Sequence, residues 1–253
     1  MNAQPFRESR ENARLSGRFS SAIALENAYG FAAVIPDVKC VSPKEGDLLA
    51  GRDPVKTAKY LASRGAPVLS VVTERERFGG SPELLRSIVQ AVDVPVLRKD
   101  FVTSVGMLKD TVALGAAAVL LICAALGENT LTMLYEEAVK LGLEPLVEVH
   151  TEGEMAFAKT LGASLIGVNN RDIMTLEKDD GGPDRTARLL SGAPADALLI
   201  SESGILSPKD ARLAAAAGAH AVLVGTALWR AVDMGAMYQS LRVERSGDSC
   251  GRS

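Results

Sequence analysis

The sequence has few aromatic residues, no excess of positive charge and no long apolar run, and each absence excludes a class of protein. Aromatic residues make up 4% of the 253-residue chain, and 28 Lys and Arg against 31 Asp and Glu give a net charge of −3. Binding to nucleic acid needs a basic patch, usually with aromatic rings among the cations, so we expect no nucleic-acid partner. No apolar run approaches the roughly 20 residues of a membrane helix, and the polar N-terminal segment lacks the pattern of a secretory signal. We therefore expect a cytoplasmic protein that does not enter the membrane.

Cysteine and histidine are also scarce, which argues against a metal site. The three cysteines, at positions 40, 123 and 250, are too scattered for a disulfide framework or a zinc site. The two histidines, His150 and His220, are isolated in the sequence, and we expect neither to be catalytic. Neither of the glycine-rich motifs GxGxxG and GxxxxGK[ST] is present. The sequence therefore predicts no metal site, no nucleotide-binding loop and no Rossmann-type cofactor site.

Short apolar segments rich in β-branched residues alternate with segments of helical periodicity. Predicted strands cover residues 31–38, 67–72, 94–98, 117–122, 144–149, 164–168, 197–201 and 220–224. The clearest predicted helices cover residues 53–65, 81–92, 129–142, 151–162 and 207–218, several with a Ser-Pro start or a terminal glycine. Eight strands alternating with helices in a chain of this length predict an α/β fold, the (β/α)8 TIM barrel. A doubly wound open sheet is the alternative.

The predicted barrel occupies one domain with short extensions at both ends. We expect residues 1–30 to form a helical extension across one end of the barrel, residues 31–243 the barrel itself, and residues 244–253 a disordered tail.

Polar and charged residues follow six of the predicted strands, at the end where barrels of this kind carry their active sites. Asp37 and Lys39 lie two apart, so their side chains point the same way. Glu148 stands among purely apolar neighbours in the fifth strand. Taken singly, some of these residues have structural explanations, such as a surface ion pair between Arg98 and Asp100. Because charged groups are rarely buried without a partner or a function, together they predict one active site.

Glycine and hydroxyl residues follow the last two strands, where many barrels bind a phosphate. Backbone N–H groups and hydroxyls there bind an anion well, and glycine permits close approach. The predicted phosphate-binding residues are Ser203, Gly204, Gly225 and Thr226, completed by Ser42 and Lys39 after the first strand. We therefore expect a small phosphorylated, sugar-like substrate, with the choice between monomer and homo-oligomer left open.

Seven segments resemble, in order and spacing, the indole-3-glycerol phosphate synthase family of tryptophan biosynthesis. They are residues 39–43, 69–81, 96–101, 146–150, 166–172, 200–205 and 222–228, and the resemblance spans about residues 31 to 230. It implies a lyase that converts 1-(2-carboxyphenylamino)-1-deoxyribulose 5-phosphate to indole-3-glycerol phosphate, with loss of carbon dioxide and water and without a cofactor.

The resemblance also implies roles for individual residues. Lys99 matches the acid that protonates the ketone oxygen, Glu148 matches the base that acts as the hydroxyl departs, and Lys39 matches a second acid. With these, the implied catalytic residues include Asp37 and Asn169. The implied substrate-binding residues are Arg171, Glu202, Phe78, Phe101 and Ile173. Arg171 and Asn169 match residues that orient the substrate's hydroxyls and carboxylate. Phe78, Phe101 and Ile173 match the apolar slot that holds its aromatic ring.

This chain departs from the family pattern around the first strand. Asp37 stands where the family usually has a glutamate, and residues 44–47 and 104–106 also differ from the usual loops. A carboxylate that retreats by roughly 1 Å can lower the rate by about 100-fold. The family reaction is therefore our main prediction. A sister enzyme acting on a modified arylamino or other ketose phosphate is the alternative, and a catalytically silent binding barrel is a third.

Overall fold

Eight parallel strands form a closed barrel in the computed structural model, which describes residues 17–171 and 184–245. Strands β1 to β8 are Ala33–Val38, Leu69–Val72, Val96–Lys99, Ala118–Ile122, Glu144–Val149, Leu165–Asn169, Leu198–Glu202 and Ala221–Val224. Each pairs with the next, and β8 pairs with β1 in the register Ala33 to Ala221. The predicted barrel is thus confirmed, and the open-sheet alternative is wrong.

Helices alternate with the strands around the outside of the barrel. Helices α1 to α10 are Arg18–Ala28, Pro54–Ser63, Pro82–Ala91, Val105–Ala113, Glu128–Lys140, Glu152–Leu161, Asp184–Leu190, Pro208–Ala216, Thr226–Arg230 and Met234–Leu241. The five predicted helices are all present, and the Ser81 and Ser207 side chains cap α3 and α8 as the Ser-Pro pairs predicted. A two-stranded ribbon, Val41–Ser42 with Gly46–Asp47, follows β1. Within the described ranges no helix is long and apolar enough to span a membrane.

Alternation along the strands sorts side chains between the barrel interior and the surrounding helices. The inward cluster includes Ile35, Leu97 and Leu146, whereas Val34 and Val147 pack outward against the helices. Because side chains two apart on a strand share a side, each inward series continues to the strand's carboxyl end. There it reaches the charged positions 37, 99 and 148. The same periodicity that builds the core therefore carries the polar groups to one end of the barrel interior.

Helix α1 packs against the inner core at the other end of the barrel. It directly precedes β1, and its Phe19 and Ile23 are fully buried in the inward cluster. The Glu144 carboxylate, at the start of β5, accepts hydrogen bonds from the N–H groups of Phe19 at 2.6 Å and Ser20 at 2.9 Å. A carboxylate at this position satisfies the free N–H groups of the helix and opposes the positive end of its dipole. The helix thereby covers the amino ends of the strands and leaves their carboxyl ends open.

Candidate active site

Two adjoining cavities open at the carboxyl ends of the strands. The apolar residues that line the first are Val72, Phe78, Phe101, Leu120 and Ile122. Its polar wall consists of Asp37, Lys39, Glu74, Lys99, Asp100 and Asn169. An aromatic and aliphatic wall facing a charged one fits a ligand that has a ring at one end and polar groups at the other.

The second cavity combines cationic side chains with glycine and hydroxyl residues. It is lined by Arg171, Ser203, Gly204, Ile205, Leu206, Leu223, Gly225 and Thr226, and also by three residues of the first cavity. Ser203 and Gly204 both have positive φ, at 63° and 70°, which is an unusual backbone for serine. The Asn170 side chain stabilises this turn by donating to the Ser203 carbonyl at 3.0 Å. Strained backbone held by its surroundings is common in ligand-binding turns.

Asp37, Lys39 and Lys99 line both cavities and so form the boundary between them. Asp37 and Lys39 are 5% and 6% exposed. The Lys39 Nζ atom lies 5.5 Å from the centre of the Phe78 ring, within cation–π range. Two cations and a carboxylate are thus concentrated where an extended ligand would pass from one cavity to the other.

The backbone and side chain of Asp37 are both held in place. Ser70, directly opposite in the β1–β2 register, donates its hydroxyl to Asp37 Oδ1 at 2.7 Å. The indole N–H of Trp229 donates to the Asp37 carbonyl at 2.9 Å. The carboxylate therefore has a defined orientation before any ligand binds.

The aromatic lining of the first cavity comes from the loops after β2 and β3, which carry Phe78 and Phe101. Glu74 accepts hydrogen bonds from the N–H groups of Arg77 at 2.8 Å and Phe78 at 3.1 Å, which organises the loop after β2. The Arg77 guanidinium lies 5.3 Å from the centre of the Phe101 ring. Glu74 was not among the predicted site residues, although it lies within the resembling segment 69–81. Its position depends on a loop conformation that strand periodicity does not specify.

Glu148, Glu202 and Asn169 lie on three consecutive strands and are almost completely buried, at 0%, 0% and 2% exposure. Asn169 lines the first cavity, and its Oδ1 accepts the Arg171 N–H at 3.1 Å. Gly167 on β6 is paired in register with Glu148 on β5. Because Gly167 has no side chain, the Glu202 carboxylate can occupy the space beside it, where an added Cβ would lie 1.9 Å from Glu202 Oε1. The two glutamates therefore approach the same position on β6, although neither lines the two cavities.

A further predicted residue, Ser42, lines neither cavity, and another lies outside the described residues. Ser42 is buried at 1% exposure, and its hydroxyl accepts the Glu45 N–H at 3.3 Å, without lining either cavity. Ile173 lies outside the described residues. Arg171 lines the second cavity, next to Ser203 and Gly204.

Arg98 and Asp100, for which a surface ion pair was one possible explanation, form a buried network. Their side chains are 5% and 12% exposed and 3.0 Å apart, and Arg98 also donates to Thr73 and Thr111. The pair is buried because Arg98 points outward into the space under α4, where helix residues cover it. This network leaves Lys99 facing inward and holds Asp100 at the edge of the first cavity.

The barrel is closed, and charged groups lie between an aromatic cavity and an anion-compatible cavity at the carboxyl ends of its strands. These features define a (β/α)8-barrel enzyme with a small-molecule site. A model of the family described as indole-3-glycerol phosphate synthase matches residues 2–241. The chain belongs to this family, whose members are decarboxylating lyases of tryptophan biosynthesis acting on a small-molecule phosphate.

Relatives named indole-3-glycerol phosphate synthase are similar to most of the chain. One from Nocardioides sp. is 47% identical over 197 residues, which cover 78% of this chain and 75% of the relative. One from Carboxydothermus hydrogenoformans is 39% identical over 246 residues, covering 95% and 92%. One from Mycobacterium leprae is 42% identical over 217 residues, covering 86% and 79%. The similarity therefore includes every strand of the barrel in at least one of these relatives.

Proposed function

We propose that this chain catalyses the reaction of its family, the conversion of 1-(2-carboxyphenylamino)-1-deoxyribulose 5-phosphate to indole-3-glycerol phosphate, by general acid–base catalysis without a cofactor. The observation that carries the proposal is the placement of Asp37, Lys39 and Lys99 between the two cavities. The substrate has an aromatic ring at one end, a phosphate at the other and a ketone between them. Its reacting centre would therefore lie against the two lysines.

Each end of this substrate matches the chemistry of one cavity. The aromatic ring fits against Phe78 and Phe101, where the apolar wall excludes water. The phosphate fits the second cavity, where the Arg171 side chain supplies charge and the turn at Ser203 and Gly204 supplies backbone groups. Binding both ends holds the ring carbon close to the ketone carbon, which converts ring closure into an oriented intramolecular step.

Lysine and glutamate supply the proton transfers that the reaction needs. Lys99 donates a proton to the ketone oxygen as the ring carbon attacks the ketone carbon. The carboxylate then leaves that ring carbon as carbon dioxide, and its electron pair restores the aromatic ring. Lys39 protonates the resulting hydroxyl, which leaves as water, and Glu148 takes the proton whose electron pair completes the indole double bond. Acid–base steps of this kind contribute typically 100- to 10,000-fold each.

The remaining predicted residues support these groups. Asp37 balances the charge of the two lysines, and its Ser70 hydrogen bond fixes its orientation. Asn169, which lines the first cavity, is assigned to orienting the substrate, and the fully buried Glu202 keeps its predicted assignment to substrate binding. We assign the phosphate to Gly225 and Thr226 as well as to the β7 turn. We also propose that the enzyme is cytoplasmic and that its partner is its substrate and not a nucleic acid, which a net charge of −3 supports.

Replacing Lys99 by methionine tests the acid assignment. Methionine preserves much of the side-chain length and removes the proton donor, so we expect kcat to fall by at least about 100-fold with little change in KM. Formation of the indole product is followed by its fluorescence. Lys109→Met, on the exposed face of α4, is the matched control and should keep wild-type turnover. Wild-type turnover by Lys99→Met would show that this mechanism is wrong.

A further inference from the structure

A cluster of ionisable side chains next to Glu148 is not used by the proposed mechanism. It consists of His150 at the end of β5, Glu154 in the first turn of α6, and Cys123 in the turn after β4. His150 follows Glu148 by two positions and is 9% exposed. The histidine that looks isolated in the sequence therefore lies beside the fully buried Glu148 carboxylate.

The His150 ring lies between two carboxylates. Its Nε2 atom is 3.5 Å from Glu148 Oε1, and its Nδ1 atom is 3.5 Å from Glu154 Oε2. The same Glu154 oxygen accepts the His150 backbone N–H at 2.5 Å, which ties the start of α6 to the end of β5. Ring contacts of 3.5 Å are long for hydrogen bonds, but such contacts often shorten when substrate binds.

Glu148 needs an orienting partner. Its carboxylate is fully buried, and in the described part of the chain neither of its oxygens has a hydrogen bond within normal distance. A buried carboxylate without hydrogen bonds is costly, so a nearby donor is expected. In the described part of the chain, His150 Nε2 lies within ion-pair distance of Glu148. An imidazole that carries a proton on each nitrogen can donate to Glu148 and to Glu154.

We propose that His150 is a positioning residue: Glu154 anchors one ring nitrogen, and the other nitrogen fixes the orientation of the Glu148 carboxylate. The arrangement resembles the general plan in which a third group orients a base, with the order of the groups adapted to a glutamate base. The proposal rests on the assignment of Glu148 as the base in the proposed function.

The electrostatics of the cluster agree with this geometry. Burial raises the pKa of Glu154, but contact with the His150 ring and backbone N–H outweighs burial, so that the pKa lies below its ordinary value. Burial, together with the carboxylates of Glu154 and Glu148, raises the pKa of the Cys123 thiol to about 12. Glu128 adds to this in the same direction. Glu148 and Glu154 therefore flank the His150 ring, and the Cys123 thiol, whose pKa their charges help to raise, stays protonated.

Substitutions at His150 separate a positioning role from a structural one. His150→Ala removes the donor, and we expect kcat to fall by on the order of 10- to 100-fold with KM within about twofold of wild type. The pH–rate profile should also change, whereas a purely structural role of His150 would leave it unmoved. His150→Gln places an N–H near the Nε2 position and should recover most of kcat. Thermal unfolding of both variants shows whether either change reflects lost stability.

A double substitution tests whether His150 acts through Glu148. If it does, adding His150→Ala to Glu148→Gln should cause little further loss, because the base is already absent. Glu154→Gln should lower kcat less than His150→Ala does, and Glu152→Gln, exposed on the same helix, should leave it unchanged. Unchanged kcat and pH profile in His150→Ala, or a further multiplicative loss in the double variant, would overturn the proposal.

The same assays distinguish this failure from failure of the proposed function. If Glu148→Gln keeps wild-type turnover, Glu148 is not the base, and the function assigned to it fails. If Glu148→Gln is inactive and His150→Ala is fully active, only the positioning role of His150 fails.

Discussion

Asp37 is a position at which we predict a departure from the family pattern, and its surroundings fit the shorter side chain. The carboxylate is 5% exposed and accepts the Ser70 hydroxyl at 2.7 Å, and Ser70 is itself fully buried. A glutamate would carry its carboxylate roughly 1 Å farther along the cavity. It would then lose the Ser70 hydrogen bond or intrude on the space next to Lys39 and Lys99.

We therefore predict that Asp37→Glu lowers activity on the family substrate. A displacement of about 1 Å at a catalytic position costs on the order of 100-fold, so we expect kcat/KM to fall by about 10- to 100-fold. Ser70→Ala, which removes the hydroxyl but keeps the carboxylate, should lower it less. Steady-state kinetics by indole fluorescence measures both. A rise in activity for Asp37→Glu would indicate that the aspartate is adapted to a different substrate.

His220 links stability to pH at the other end of the barrel. Its Nδ1 atom accepts the Leu199 N–H at 3.0 Å, which requires an unprotonated nitrogen. Burial, with a smaller contribution from Arg245, lowers the pKa of His220 from 6.5 to about 4. Because the folded-state pKa is depressed, this contribution to stability is complete above pH 6.5 and is lost as pH falls towards 4.

We predict that His220→Asn removes this part of the pH dependence. Asparagine Oδ1 can accept the Leu199 N–H and does not titrate in this range. From the size of the pKa shift, the wild type should lose on the order of 3 kcal/mol more than the variant between pH 6.5 and 4. Free energies of unfolding from urea titrations across this range provide the test. Parallel pH profiles for the two proteins would contradict the assignment.

At the residue scale, strand alternation predicts much of the site, and loop geometry accounts for the rest. The two-residue spacing of Asp37 and Lys39 predicted that their side chains point to the same side of β1, and each of them lines the two cavities. The same rule places Lys99 inward and Arg98 outward, as the structure has them. Glu74 and the contacts of His150 could not be predicted in this way. Both depend on how a loop or helix start folds back over the strands.

At the element scale, the strands are predicted well and the short helices poorly. All eight predicted strands are present, with edges shifted by one or two residues, as for 94–98 against Val96–Lys99. The shift arises because apolar residues continue into the turn that precedes a strand. The split between α9 and α10 was not predicted, because Thr226–Arg230 is too short to show a helical period. That break lets Trp229 reach back to the carbonyl of Asp37.

The contact between α1 and Glu144 predicts a stability effect separate from activity. Glu144→Gln keeps one acceptor but loses the charge and the second acceptor, so we expect a loss of about 1 kcal/mol in the free energy of unfolding. Gly17→Ala should act through the same contact, because the added Cβ would lie 1.8 Å from Glu144 Cδ. Urea unfolding measures both effects.

Exposed Glu136→Gln on α5 is the control for the change in charge and should leave the unfolding free energy within about 0.5 kcal/mol of wild type. Because Gly17→Ala and Glu144→Gln disturb one contact, their effects should not add in the double variant. Full additivity, or wild-type stability of Glu144→Gln, would show that this contact does not stabilise α1.

At the scale of the whole molecule, the two ends of the barrel have different tasks. At the amino end, α1 buries Phe19 and Ile23 over the apolar inner core. At the carboxyl end, the inward positions become charged, and loops from successive strands build the two cavities. Stability and catalysis can therefore vary separately, as is common for this barrel. The alternating pattern made this division predictable, whereas the presence of two cavities with three shared residues became visible only in the folded chain.

Turnover of 1-(2-carboxyphenylamino)-1-deoxyribulose 5-phosphate by the purified wild-type protein tests the central claim most directly. Indole fluorescence follows product formation, and released carbon dioxide is measured in parallel. The account predicts steady turnover at a typical enzymatic rate, on the order of 1 to 1,000 per second, with one carbon dioxide for each indole. Binding without turnover, or turnover slower by several orders of magnitude, would contradict it.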